Sequence, residues 1–275
     1  MSDAALGRRM FELTEPIALV AYQAHEPTET VMANRFTNYW DAYFAGRAAP
    51  LGHTSADVVH ALFYNFADGE VARHIPKVWD SITPDEAITL RQQGCAAAIR
   101  RIAGDLLDSP AVTGATELLL RAATSGRTEG RPMYAALTRL PIPGEPVERL
   151  WHAANLLREH RGDGHIAALM AEGINGTECH VLLALSMGMP AEKFGRVHHL
   201  PSPRLAAVID GMRDRGLIGQ DGWLTDAGKA TKERVETLTD QLASPAYDVL
   251  TDAEIDDLTT GLQPVSASLA AVGSE

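Results

Sequence analysis

The segment from residue 202 to 229, SPRLAAVIDGMRDRGLIGQDGWLTDAGK, constrains the fold more than any other part of the chain. A Ser-Pro pair is typical of a helix start, and apolar residues then recur at helical spacing, at positions 205, 208, 209 and 212. Gly216 favours a helix end. The apolar pairs at 217–218 and 223–224 flank the turn residues 219–222, which predicts a short β-hairpin. Thr225 is placed to cap a further helix. Helix, hairpin and helix in this order are the layout of a winged-helix module.

Basic residues near this segment are the candidates for contact with double-stranded DNA, because lysine and arginine neutralise phosphates. They are Lys193, Arg196, Arg204 and Arg213. The segment itself is neutral, with four basic and four acidic residues. The outer face of its first helix is predicted to carry alanine, glycine and Asp210 instead of side chains that read base edges. Two interpretations stay open: DNA contact outside the wing, or a winged-helix-like scaffold that no longer binds DNA.

Bulk composition limits the classes of protein to consider. The chain has 275 residues, is 45% apolar and carries a net charge of −12, which suits a sizeable core in one large or two small domains. The two cysteines, Cys95 and Cys179, are far apart and are expected to be free thiols. Neither a secretory leader nor a membrane-length apolar run is evident, so we expect a cytoplasmic protein without membrane contact. No HExxH or CxxC spacing occurs, and we expect neither a metal nor another cofactor.

Helical periodicity runs through most of the chain and predicts a mainly α fold. A weak internal similarity pairs the segment around Gly46 with the segment around Gly162. It indicates either a duplicated helical module or chance likeness between two segments rich in Ala and Leu. We predict two helical modules, residues 1–125 and 126–275, the second winged-helix-like with one short β-hairpin. The run Thr251-Asp252-Ala253-Glu254 matches a capping box for a last helix, and the tail after Ser266 is weakly patterned and is expected to fray.

The densest polar run is residues 151–165, WHAANLLREHRGDGH. His152, Asn155 and Glu159 share one helical face. We expect this helix to end at Gly162, with Arg161, Asp163 and His165 on the turn that follows. The run is either a solvated charged face or the wall of a functional pocket.

A pocket here would hold a small, partly aromatic anion. Arginine pairs bind carboxylate or phosphate in a bidentate manner, and a carboxylate beside an imidazole makes a general base. His165 and Asp163 are therefore the catalytic candidates. The aromatic residues near position 40 are either core or pocket walls. The predicted ligand-binding residues are Arg47, Trp40, Tyr43, His152, Asn155, Glu159, Arg161, Asp163 and His165.

Four short stretches carry a resemblance that covers nearly the whole chain: FAGRAAPLG at 44–52, WHAA at 151–154, LREHRGDGH at 157–165 and the Leu224-Thr225-x-x-Gly228 run. With these the chain resembles an actinobacterial family of two-module helix-turn-helix proteins and, in its C-terminal part, MarR-like winged-helix regulators. The resemblance implies a transcriptional regulator that responds to a small molecule, binds double-stranded DNA and acts as a homodimer. The alternative is an enzyme or small-molecule-binding protein on such a scaffold, with its pocket around the Arg-Gly-Asp-Gly-His turn.

Overall fold

The chain is mainly α-helical, as predicted. A computed structural model describes residues 4–194 and 200–272. Its α-helices in chain order are α1 (Ala4–Gln23), α2 (Glu26–Met32), α3 (Tyr39–Ala48), α4 (Ala56–Leu62), α5 (Pro84–Ala103), α6 (Pro110–Ala123), α7 (Pro132–Leu137), α8 (Pro146–Ala171), α9 (Gly176–Ser186), α10 (Ser202–Asp214), α11 (Asp226–Ala243) and α12 (Asp252–Val272). Short 3₁₀ segments join several of them.

Side-chain caps fix several helix starts, because the first amides of a helix have no partner within the helix. Asn175 and Glu178 form a reciprocal capping box at the start of α9. Thr225 caps α11 by accepting from the Gly228 amide at 3.1 Å. At the start of α12, the Glu254 side chain accepts from the Thr251 amide at 2.8 Å, and the Thr251 hydroxyl accepts from the Glu254 amide at 3.3 Å. The capping roles inferred from sequence for Thr225 and Thr251 are thus confirmed.

The buried apolar residues form two clusters. The larger one combines residues 10–157 with residues 246–269, so that α12 packs against α1 and α6. The smaller one takes in the end of α8, then α9, α10, the segment after α10, and Val235 of α11. The module boundary after residue 125 stays a prediction, as does the duplication. The two clusters meet instead along α8, which contributes to both.

Two sequence expectations need correction, and a third is not confirmed. α8 does not end at Gly162 but continues to Ala171, because packing against its neighbours outweighs the ~1 kcal/mol that a mid-helix glycine costs. The tail does not fray after Ser266: α12 extends to Val272, and Leu269 is buried. In the described part of the chain the predicted hairpin is reduced to an isolated antiparallel bridge between Ile218 and Leu224. Each apolar pair is too short to form a ladder, so the winged-helix assignment stays a prediction.

Candidate ligand cavity and helix-turn-helix surface

A cavity of about 580 Å³ lies where the two apolar clusters meet. Its walls come from α1, the end of α3, the segment after α4, the second half of α8, α9 and α11. Aliphatic side chains from α8, α9 and α11 and charged side chains from α1, α3, α8 and α11 share the lining. The volume falls in the usual range for small-molecule sites.

Five of the nine predicted ligand-binding residues line this cavity, namely Arg47, Glu159, Arg161, Asp163 and His165. Their role in ligand binding stays a prediction. The other four are not part of its lining. Trp40 and Tyr43 pack edge-to-face, 5.3 Å between ring centroids, in an aromatic cluster next to the site. His152 and Asn155 are buried on the first half of α8, about two turns and about one turn, respectively, before the cavity begins at Arg158.

The predicted pairing of the Asp163 carboxylate with the His165 imidazole is wrong. In a continuous helix, residues two apart point in directions about 200° apart. The Asp163 carboxylate accepts from the Tyr134 amide at 2.9 Å, at the start of α7, and burial raises its pKa to about 6. Burial lowers the pKa of His165 to about 4. The Arg-Gly-Asp-Gly-His run is therefore part of a helix wall and not a turn that presents a catalytic pair.

His165 is held by α11. Its Nδ1 lies 2.9 Å from the Thr239 hydroxyl oxygen, and that hydroxyl donates its own proton to the Val235 carbonyl at 2.7 Å. The oxygen must therefore accept from the imidazole N–H, so Nδ1 carries the proton and Nε2 is left as an acceptor. At neutral pH the ring is an uncharged hydrogen-bond acceptor in the cavity wall.

An ion-pair network ties α8 to α1 and α11 at one side of the cavity. Arg161 contacts Glu236 at 3.2 Å and Asp240 at 2.9 Å, and Arg8 contacts the same two carboxylates at 2.8 and 2.9 Å. Lys232 pairs with Glu236 as well. Burial alone would raise the pKa of Glu236, but the hydrogen bonds and charges of Lys232 and Arg8 outweigh it and lower the pKa to about 2. Sequence reasoning found Arg161 but missed its partners, which lie far away in the chain.

A second group of charges surrounds Glu159. Arg158 donates to Glu159 at 2.7 Å and pairs with Glu15 of α1 at 3.3 Å. Burial would raise the pKa of Glu159, but the charges of Arg158 and Arg47 outweigh it, so the pKa is lowered and the carboxylate stays ionised. Arg158 thus pairs with the carboxylates of both Glu15 and Glu159.

Arg47 differs from the other basic residues of the cavity. One terminal nitrogen donates to the Tyr43 hydroxyl at 2.8 Å, and the guanidinium lies over the Phe63 ring at 4.3 Å. Within residues 4–194 and 200–272, its buried Nε has no hydrogen-bond partner and no carboxylate forms a direct ion pair with it. Glu159 acts on it electrostatically without such a contact. Arg47 therefore presents a largely buried positive charge that has no carboxylate in direct contact in the described part of the chain.

The candidate DNA-contacting residues are distributed around α10. Lys193 and Arg204 are exposed, while Arg196 lies outside the described residues. Arg213 is already engaged: it donates to Asp210 at 2.5 Å and lies 3.5 Å from the Gly219 carbonyl oxygen. Lys193 ends the 3₁₀ segment before α10, and Arg204 lies in the first turn of α10, so both offer an exposed positive charge.

Metal, thiol and membrane features complete the description. Among the residues the structure describes, no group of three or more His, Cys, Asp or Glu side chains could hold a metal ion. Burial raises the pKa of Cys179 in the cavity wall to about 12, and its Sγ donates to the Gly176 carbonyl at 3.1 Å. None of the helices in the described ranges has the length and apolar character that a membrane crossing needs.

Comparison with known proteins gives one positive result. No curated protein and no solved structure matches the chain significantly. A family model described as a helix-turn-helix family matches residues 7–274, almost the entire sequence. The α9–α10 pair, followed by the bridged segment and α11, gives this match a structural counterpart. The chain belongs to this helix-turn-helix family.

Proposed function

We propose that this protein is a MarR-like transcriptional regulator whose affinity for double-stranded DNA responds to a small molecule bound in the cavity. The observation that carries the proposal is that one helix, α9, contributes to both the cavity and the helix-turn-helix. α9 supplies four residues of the cavity wall and is also the helix that precedes and packs against α10. A ligand that contacts α9 can therefore favour one position of α10 over another.

His180 of α9 supports this coupling. It lines the main cavity and also a smaller one of about 190 Å³, which includes Arg204 at the start of α10. Its Nε2 is buried without a hydrogen-bond partner. A side chain in this position can change its contacts when either the main cavity or the first turn of the proposed recognition helix changes.

DNA would be contacted through Lys193, Arg196 and Arg204. These residues flank or begin α10, whereas Arg213 is neutralised by Asp210. The contacts are to phosphates, because the exposed face of α10 carries few base-reading side chains. One chain offers a single such helix, so two half-sites would require a homodimer.

The test is a gel-shift titration with the DNA upstream of the protein's own gene, at low and at physiological salt. We expect binding that weakens steeply as salt rises, because phosphate contacts release counterions. The double reversal Lys193→Glu with Arg204→Glu should abolish it. Reversal of the exposed Arg127 and Arg139, outside the helix-turn-helix, makes the same change in net charge and should have much less effect. Equal effects of both pairs would contradict the proposed surface.

One observation favours a second candidate, a small-molecule-binding protein on the same scaffold without DNA affinity. The exposed side of α10 carries Asp210 and Asp214, which repel phosphate. The absence of DNA binding at low salt would support this candidate. An enzyme based on Asp163 and His165 is not favoured, since the two side chains have separate partners.

A further inference from the structure

We propose that the cavity binds a monocarboxylate with an aliphatic body, and that Arg47 anchors its carboxylate. The inference names the ligand class for the proposed regulator and in that respect rests on the proposed function. The charge balance of the cavity, the unused donors of Arg47 and the apolar residues that line the cavity support it.

The charge balance of the cavity selects Arg47. The other basic residues of the wall, Arg8, Arg158, Arg161 and Lys232, each have a carboxylate partner within 4.0 Å. An anion that bound to any of them would have to compete with that carboxylate. At Arg47 it meets a positive charge without such a competitor. Glu159 offsets this charge only through longer-range electrostatics, so a ligand that supplies a directly bound counter-charge would complete the pairing.

The unused donors of Arg47 suit a carboxylate. A guanidinium has five N–H donors, and within the described residues only one terminal nitrogen of Arg47 is engaged, by the Tyr43 hydroxyl. The Nε and the remaining terminal nitrogen lie on one edge of the group, which is the edge that binds a carboxylate through two parallel hydrogen bonds. Phe63 covers a face of the guanidinium, and the buried Nε on that edge has no partner in the described part of the chain.

The site suits a ligand that carries a single negative charge. Glu159 is ionised and close enough to Arg47 to interact electrostatically. Glu236, on the α11 side, is ionised as well. A second charge on the ligand would therefore meet carboxylates that already occupy the other arginines.

The apolar residues that line the cavity indicate the nature of the rest of the ligand. Ile166 and Leu169 of α8, Leu182 and Leu183 of α9, and Val235 of α11 line the cavity. Trp40 and Tyr43, which were expected to form walls for an aromatic ring, lie behind Arg47 and outside the cavity. Phe11, Phe63 and Tyr64 also line the cavity, but Phe11 lies against the Arg161 guanidinium, Phe63 lies against the Arg47 guanidinium, and the Tyr64 hydroxyl donates to the Ile174 carbonyl. The remaining apolar surface is aliphatic and favours a flexible aliphatic chain, whose burial contributes about 0.8 kcal/mol for each CH₂ group.

The experiment is calorimetric titration of the full chain with hexanoate, octanoate and decanoate, and with octanamide and decanamide as uncharged controls. We expect at least one acid to bind with a 1:1 stoichiometry and its amide to bind at least about tenfold more weakly. Arg47→Gln should weaken acid binding by a similar factor. Arg121→Gln, which removes an arginine paired with Glu254 away from the cavity, should leave it unchanged.

A second variant keeps the test decisive if Arg47→Gln does not fold. Ile166→Phe leaves Arg47 in place but fills part of the cavity, so it should weaken decanoate more than hexanoate. The inference is overturned if no acid binds, if acid and amide bind equally, or if both cavity variants bind like the wild type. Acid binding by a protein that does not bind DNA would support this inference and refute the regulator. DNA binding without acid binding would do the reverse.

Discussion

Two buried histidines on α8 should make the stability of the protein strongly dependent on pH. His152 and His160 are each 3% exposed. Burial lowers the pKa of His152 to about 4 and that of His160 to about 3, from a usual value of 6.5. The His160 ring packs edge-to-face on Tyr134, with 4.9 Å between centroids, and its Nδ1 has no hydrogen-bond partner. Both rings are therefore neutral in the folded protein.

The sign of the effect follows from linkage. The folded-state pKa lies below the unfolded one, so between these two values the unfolded chain binds more protons. The stability contribution is fully present above about pH 6.5 and is lost as the pH falls towards about 4 for His152 and about 3 for His160. Integration from pH 7 to pH 5 gives a loss of about 2 kcal/mol for each histidine.

The perturbation that isolates this effect is His160→Leu, alone and together with His152→Leu. Each variant will change the stability at pH 7, so the quantity to compare is its own loss of unfolding free energy between pH 7 and pH 5. That loss should shrink by about 2 kcal/mol in the single variant and by about 4 kcal/mol in the double variant. The two sites lie about 12 Å apart along α8 and should be additive.

The assay is urea unfolding followed by circular dichroism at both pH values. Asn155→Leu is the matched control, because Asn155 is equally buried on the same helix but does not titrate. It should show the full wild-type loss. If His160→Leu and Asn155→Leu lose the same free energy on acidification, the neutral buried state inferred for His160 is wrong.

Two further predictions concern packing and capping, both measured by urea unfolding at neutral pH. Asp163→Ala should lower the unfolding free energy by about 2 kcal/mol, because the Tyr134 amide loses its acceptor. Asp163→Asn, which keeps an acceptor oxygen, should cost clearly less, and equal costs would contradict the capping role. Gly7→Ala should destabilise by about 1–3 kcal/mol, because a Cβ there would collide with the backbone of Asp240. Gly114→Ala, with open space around it, should instead stabilise by about 0.5–1 kcal/mol, and equal effects would count against the close α1–α11 contact.

The parts of the fold that sequence predicted are those with local causes. Helical periodicity identified the mainly α architecture, and the polar residues at 225 and 251 marked the starts of α11 and α12. These signals depend on residues within three or four positions of each other. The predicted hairpin is not confirmed: the turn residues are present, but in the described part of the chain the flanking apolar pairs form a single antiparallel bridge between Ile218 and Leu224 and no regular strands.

The parts that sequence did not predict depend on tertiary contacts. A glycine at position 162 and another at 164 suggested a helix end, yet packing against α11 keeps α8 helical through both. Once the helix is continuous, Asp163 and His165 must have different partners. Arg161 pairs with Glu236 and Asp240, more than 70 residues away, so no local pattern could have shown that its charge is already neutralised. Arg47 lines the cavity, its predicted role in ligand binding stays a prediction, and only the structure distinguishes it from the paired arginines.

The two sides of the cavity resist displacement unequally. On one side, α1, α8 and α11 are joined by partly buried ion pairs, and breaking such a pair leaves a charge without compensation. On the other side, α9 meets the cavity through Cys179, His180, Leu182 and Leu183, none of which forms an ion pair within the described residues, so these contacts can rearrange without leaving an unpaired charge. A ligand that expands the cavity should therefore displace α9 before it separates the ion-paired helices. Since α9 packs on α10, that displacement is transmitted directly to the helix proposed to contact DNA.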